Sequence, residues 1–557
     1  MASSLDLAKV ESLPELPCRA EIASQDLDTA STLAPDDAAT VTVHETDNTV
    51  HVAVDIEHMP VADDPRTWSV VRKNFVLFLC TFGSVISGLA QNIQTPAIED
   101  MEAELSATPS QISLSISLFL LCQGVMPLIW SAISEVKGRR AVYISSLSFF
   151  TVGSIIVAAS KSISLVIGFR CLQAGGSSAV SSIGAATLAD IFDSEERGSK
   201  IGIYYIGSLL GPSAGALLGG ALTTGFGWRG PFYFLAILAG FICLCFLFFF
   251  KDTFRRERSH AYQSIVKRRL AYMASHQLAL SGETKKPVEV VDQPPNNATP
   301  DLEKGVISTT QVAAVGEDIK LSLMDVNPFK PMAAVLLRPE NIIMLLASGS
   351  LFGFCFMILY TTARTLGTFY EYDALRIGLV LVVFGLGNIT GSVVGGRWSD
   401  HQLMRLTAAN GGKRYPEMRL RSTIPGLVIL PFCIVGYAWI IEKRLHIASV
   451  CTMLFLCGFF VIFVYTCTLS YIIDANVGRS STATALLSFF RGMFGFLVTE
   501  IADGLGDGWT YTIIASVMII TGLLVMLVMY KGASWRARAE ERRTIKQMET
   551  VKEIEKH

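Results

Sequence analysis

About a dozen apolar runs of roughly 20 residues divide this chain, and nothing else in it restricts the fold so severely. A run of that length is what an α-helix needs to cross a ~30 Å hydrocarbon core. The runs fall at 74–97, 110–133, 141–159, 162–189, 201–223, 230–250, 341–363, 375–397, 422–441, 446–474, 480–503 and 510–530. Only 17% of the 557 residues are charged, where a soluble chain carries nearer a quarter. The expected fold is an all-α integral membrane protein of twelve transmembrane helices.

The spans divide as six, a polar stretch, and six more. The expected units are a disordered N-terminal tail (1–70), a six-helix half (74–250), a central segment (251–340), a second six-helix half (341–530) and a basic tail (531–557). An even number of spans puts both termini on one side, and the positive-inside rule chooses which. The link after span 2 holds Lys137, Arg139 and Arg140, and that after span 8 holds Arg405, Lys413, Arg414, Arg419 and Arg421. The link after span 1 has Glu99, Asp100, Glu102 and Glu104 and no base. Both termini and the central segment are therefore expected in the cytoplasm, against a small contrary signal from EKRLH (442–446). The first 63 residues carry thirteen acids against two bases and no signal-peptide pattern, hence the reading as disordered. Within the central segment, 255–275 can form a basic amphipathic helix on the anionic inner leaflet. Residues 281–318 read as disordered.

A net charge of -2 gives no pull toward nucleic acid. Ten of the eleven cysteines lie inside apolar runs and Cys18 lies in the tail, so no disulfide framework is expected. Neither a metal cluster nor a nucleophile–base set stands out within the spans, so an enzyme is not expected. WSAISEVKGRR (130–140) follows span 2, and GGRWSDHQLMR (395–405) closes span 8. Each is a small-residue patch, then an acid (Glu135, Asp400), then bases. Two homologous halves facing each other make the architecture of an alternating-access transporter.

Further stretches narrow the class. DPRTWS (64–69) precedes span 1; SEVKGRR (134–140) joins spans 2 and 3; RCLQAGGSSA (170–179) lies in span 4; GSLLGPSAGALLGG (207–220) lies in span 5. NPFKPMAAVLLRPEN (327–341) precedes span 7, and YIIDANVGRSSTATA (471–485) joins spans 10 and 11. Over roughly 64–535 the chain resembles the major facilitator superfamily, and more narrowly the fungal members of the twelve-span drug:proton antiporter family, the quinidine-resistance and dityrosine-exporter branch. It departs from the signature loop at Ser131, Glu135 and Val136, where the family usually has glycine, aspartate and a base. The resemblance implies the major facilitator fold, efflux of a drug or metabolite in exchange for protons, and a coupling role for Arg170. No cofactor is expected beyond the proton.

Charges inside a membrane are costly, so each one is a functional candidate. Arg170 shares a helix face with Gln173, three residues on; a fixed cation would release a proton from any carboxylate it approaches. Arg491 and Glu500 in span 11 lie about 13 Å apart along the helix and half a turn out of phase, too far to pair. Arg491 sits at mid-depth, and Glu500 is either a protonatable site or an outer-rim carboxylate. Gln91, Asn92, Gln94, Gln123, Tyr360, Arg364 and Tyr465 are candidates to line a central cavity, or else interhelical polar ties. At the cytoplasmic end, Glu135, Gly138, Arg139, Arg140, Asp190, Arg197, Asp400, Asp474 and Arg479 are expected to form a latch, with Glu135 and Asp400 meeting helix N-termini and Arg139 or Arg140.

Gly207, Gly211, Gly215 and Gly219 recur at every fourth position of span 5, beside Pro212 and Gly220. Such a stripe admits another helix closely, and Pro212 lets the helix bend. By the family comparison its expected partner is span 8 of the other half, across the surface on which the halves rock. The expected partners of the protein are a small-molecule substrate and the lipid bilayer, with no nucleic acid, and it is expected to act as a monomer in the plasma membrane, or alternatively the vacuolar one. Two other functions fit the same fold: an organic-acid or secondary-metabolite exporter, suited by Arg170, Arg364 and Arg491, and a non-transporting membrane sensor.

Overall fold

The computed structural model describes residues 41–46, 49–54, 63–192, 194–255, 262, 288–291, 329–413, 415–476, 480–501 and 507–556. Among them, twelve helices are long and apolar enough to cross a membrane. The first half holds spans 1 (Val70–Asn92), 2 (Pro109–Lys137), 3 (Arg139–Ala159), 4 (Ile163–Ile191), 5 (Ser194–Phe226) and 6 (Gly230–Phe249). The second holds spans 7 (Pro339–Tyr370), 8 (Ala374–Ala409), 9 (Ile424–Glu442), 10 (Ile447–Ala475), 11 (Ser480–Ile501) and 12 (Asp507–Lys556).

Local chemistry explains the boundaries. Thr108 and Gln111 form a reciprocal capping box at the start of span 2, with Pro109 at its first position. Span 2 ends at Gly138, whose φ of +87° suits glycine and whose missing side chain leaves room for the Asp252 carboxylate. Span 12 continues as helix to Lys556, through residues read from sequence only as a basic tail.

A small sheet lies where disorder is expected. Strands β1 (Val41–Thr46) and β2 (Thr49–Val54) pair antiparallel, and β3 (Val288–Val291) runs parallel beside β2. In VTVHET and TVHVAV, valine alternates with other residues at the strand period, a pattern the acid-rich average of the tail conceals. Apart from β3, Arg255 and Tyr262, the stretches 255–275 and 281–318 lie outside the described residues.

Glycine decides which helices approach closely, and it corrects the expected role of the span 5 stripe. Gly207, Gly211, Gly215 and Gly219 pack against span 1 of the same half, facing Thr81, Gly88, Leu89 and Ile93 in turn. A Cβ on Gly211 would stand 2.6 Å from the Gly88 Cα. Pro212 lies in the same contact, and its carbonyl accepts from the Asn92 amide at 3.3 Å. Span 8 is met by the other side of span 5, through Ser213, Ala216 and Gly220. At about 100° per residue, Ser213 stands roughly 200° around from Gly211, so one helix serves two partners. Span 8 does the same: Gly378 and Gly385 face span 5, whereas Gly387, Gly391 and Gly395 face the backbone of span 10 at Phe455, Phe459 and Phe463. The stripes therefore weld each half internally.

The halves meet along two seams that run from mid-depth to the end remote from the chain termini, called here the far end. Spans 2 and 11 touch at Gly124 and Gly492, and spans 5 and 8 touch at Gly220 and Ala374. Gly367 of span 7 backs onto the Glu99 carboxylate beyond span 1.

At the opposite, terminal end, the branch motifs before span 7 and after span 10 come together. Buried Asn341 and Asn476 exchange two side-chain hydrogen bonds of 2.9 Å. Each also donates to a backbone carbonyl, of Val335 and Ile472 respectively. Asn341→Ala strips partners from the buried Asn476 amide, at a cost of about 1–3 kcal/mol. The expected outcome is a lower melting temperature in detergent with substrate affinity unchanged; an unchanged melting temperature would contradict it.

Candidate functional site

Arg170 is fully buried in the first half. Its guanidinium donates to the Ala90 carbonyl of span 1 at 3.1 Å and to Gln173 Oε1 at 2.8 Å. Gln173 in turn donates to Ser154 of span 3 at 2.7 Å. Phe119 of span 2 and Phe232 of span 6 present ring faces 4.1 and 5.7 Å from the guanidinium carbon. Arg170 makes no ion pair among the described residues, and its Nε and Nη2 have no hydrogen-bond partner. Aromatic faces offset part of the desolvation cost, by about 2 kcal/mol for such a buried contact. Four helices thus hold a fixed, unneutralised cation.

Arg491 lies in the middle of span 11, half-buried. It donates to the Tyr465 hydroxyl of span 10 at 3.2 Å, and its guanidinium carbon stands 3.9 Å from the Phe352 ring centroid of span 7. Tyr205 of span 5 approaches from the other half, within electrostatic reach of both Tyr465 and Arg491, yet it is 47% exposed. A side chain that faces the opposite half and keeps so much surface borders an open space between the halves. Phe352 and Tyr205 were not singled out in the sequence, because aromatic residues in apolar runs carry no mark of their own.

Glu500 is drawn into the far-end seam. Its carboxylate accepts from Ser117 at 2.5 Å and from Ser113 at 3.5 Å, both on span 2 of the first half, and Ser113 also donates to the Thr499 carbonyl at 3.1 Å. Asp503, its sequence neighbour on the same face, lies outside the described residues. Serines are too common in membrane helices for Ser113 and Ser117 to be picked out without the structure.

The polar stripe of span 1 is largely taken up in ties between helices. Gln94 exchanges hydrogen bonds with Ser115 at 3.3 Å, Gln123 donates to Ser87 at 3.2 Å, and Asn92 reaches Pro212 as above. Gln91 is half-buried. Tyr360 is buried and Arg364 half-buried one helical turn beyond it, toward the far end of span 7.

Among the described residues, the ion pairs of Arg139 and of Arg419 at the terminal end each lie within a single half. Arg139 pairs with Asp190 at 3.3 Å, donates to Ser134, and gives its backbone amide to Asp252 at 3.1 Å. Arg140 caps the Leu247 carbonyl at 2.6 Å. In the second half Arg419 bridges Asp474 at 2.6 Å and Asp400 at 2.8 Å. Asp400 thus meets Arg419 and not the expected Arg139 or Arg140, because those two are held within their own half. Asp190 and Asp474 occupy corresponding places, as expected from the repeat. Arg419 is the partner that sequence reading passed over among five bases in one link. Glu135 is half-buried; the side chain of Arg197 and all of Arg479 lie outside the described residues.

Two packed six-helix bundles, joined toward one end, with Arg491 at mid-depth beside the space between them, form a polytopic membrane protein. The chain belongs to the major facilitator superfamily, whose sequence profile matches residues 80–499. It is 25% identical to the MFS antiporter QDR3 of Candida albicans, over 86% of this chain and 80% of that one. It is 27% identical to citrate exporter 1 of Aspergillus niger, over 85% and 88%. In three dimensions it is similar to a partially occluded inward-open form of the xylose transporter XylE from E. coli, at 11% identity and a TM-score of 0.55, covering 83% of this chain and 98% of that one. These relatives are transporters, not enzymes.

Proposed function

We propose that the protein exports a small organic molecule in exchange for protons by alternating access, with its termini in the cytoplasm and the plasma membrane as its site. The terminal end carries the basic links, which supports that orientation, and the space beside Tyr205 then opens inward. One observation carries the coupling: the only contact of Glu500 with the first half is through the hydroxyls of Ser113 and Ser117 among the hydrogen bonds described. A carboxylate in that seam holds it by charge-assisted bonds, about twice as strong as neutral ones. In the outward-open state Glu500 faces outside and takes up a proton as cargo leaves. The protonated carrier then closes its far end, and loss of that proton to the inside restores the charge-assisted bonds and holds the inward-open state for new cargo. The membrane potential adds about 2.3 kcal/mol per charge per 100 mV, enough for more than a tenfold gradient of neutral cargo.

Inside-out vesicles with an imposed pH gradient provide the test. Glu500→Gln is expected to lose about the tenfold accumulation that one coupled proton supplies per pH unit, while substrate exchange at equal pH persists. Wild-type accumulation indifferent to the gradient would remove antiport. Unaltered accumulation in Glu500→Gln would move the proton elsewhere.

A further inference from the structure

From the surroundings of Arg491, we infer that the cargo is an organic anion with one carboxylate on a flat apolar body, seated on Arg491 between Phe352, Tyr465 and Tyr205. This deepens the exporter reading and rests on it for direction of transport, but not for binding.

Two intramembrane arginines differ in what they offer. Arg170 is sealed from solvent on all sides. Arg491 is half-buried at mid-depth, beside the space that Tyr205 borders. Its guanidinium lies over Phe352 and reaches Tyr465 through Nη1. Nε is buried and without a partner, and no ion pair forms among the described residues. A guanidinium over a ring leaves its in-plane N–H edge open, and that edge matches the two oxygens of a carboxylate. The acid on the same helix, Glu500, lies about 13 Å away along the axis and is engaged by Ser117. Nothing within the site therefore neutralises Arg491, and a carboxylate ligand would.

The same site disfavours other classes. A cationic drug would face an unneutralised like charge at close range. A tricarboxylate would bring three charges to one cation. The flanking groups are three aromatic rings, which bury a flat apolar body well, and the Tyr465 hydroxyl is already taken by Arg491. Charge count and ring count together select a hydrophobic monocarboxylate.

Equilibrium binding to the purified full chain in nanodiscs tests this without any proton gradient, so its failure is separable from failure of antiport. The probes are 1-naphthoate, its uncharged amide, naphthylmethylammonium and citrate. Naphthoate is expected to bind most tightly of the four. Arg491→Gln should weaken it about 100-fold, the scale for removing one partner of a desolvated charge pair, with little change for the amide. Arg491→Lys should lose about tenfold, keeping the charge but not the paired bonds. Tighter binding of the ammonium or of citrate by the wild-type protein would overturn the proposal, and that comparison needs no variant to fold. Equal naphthoate affinity in Arg491→Gln would overturn it as well.

Discussion

Leucine in place of Gly492 is expected to abolish transport by holding the far-end seam apart. A Cβ there would stand 2.6 Å from the Leu120 carbonyl oxygen and 2.8 Å from the Gly124 Cα. These neighbours are backbone, so they cannot rotate out of the way as a side chain could. Overpacking of this kind costs about 1–3 kcal/mol, which displaces a two-state equilibrium by roughly 5- to 150-fold. The strain exists only while spans 2 and 11 touch, so the protein escapes it by staying open at the far end. Expected results are transport below a tenth of wild type and a gain in reactivity of a cysteine at Ser113 toward a membrane-impermeant thiol reagent. The melting temperature should barely move, because each half keeps its own glycine seams. Gly168→Ala, where an added Cβ meets nothing within 4 Å, serves as the silent control. Full transport by Gly492→Leu would mean that the seam need not close.

Arg170→Lys should eliminate pH-driven accumulation while leaving substrate affinity intact. Lysine keeps a charge but loses the planar face between Phe119 and Phe232 and the geometry that reaches both Ala90 and Gln173. A guanidinium keeps its proton in such an enclosure, whereas an ammonium can shed it. The resemblance implies a coupling role for this fixed cation, and lysine, able to lose its proton in the enclosure, would not keep it. We expect a loss of about 100-fold in gradient-driven uptake, the scale of the two or three kcal/mol at stake in one charge-assisted hydrogen bond. Binding should survive, since Arg170 lies outside the open space. Coupled flux retained in Arg170→Lys would assign the residue to packing alone.

Legibility from sequence tracked how local the information was. Span number and the two-half arrangement follow from run lengths, which are properties of single segments. The partners of a stripe are not. Four glycines at i+4 announce a bare face on span 5, but the same spacing serves an internal weld or an external seam, and the neighbour turned out to be span 1. Glu500 was visible as an intramembrane acid, while its meaning lay in two serines nearly 400 positions away in the chain. Asp400 and Arg419 are separated by a whole link, so the bases nearer in motif, Arg139 and Arg140, drew the expectation. The strands of the N-terminal tail were masked by composition, which averages over the alternation that makes a strand.

Span 12 does not stop where the apolar residues stop. Its helix runs on from Tyr530 to Lys556, about 39 Å at 1.5 Å per residue. Arg536 clamps it to Glu417 at the base of the second half with a 2.7 Å ion pair. In the alternating-access cycle proposed above, such an arm, fixed to one of the two halves, would act as a pointer. Each degree of tilt would carry its tip about 0.7 Å, so a reporter near Lys556 would read the proposed cycle in magnified form.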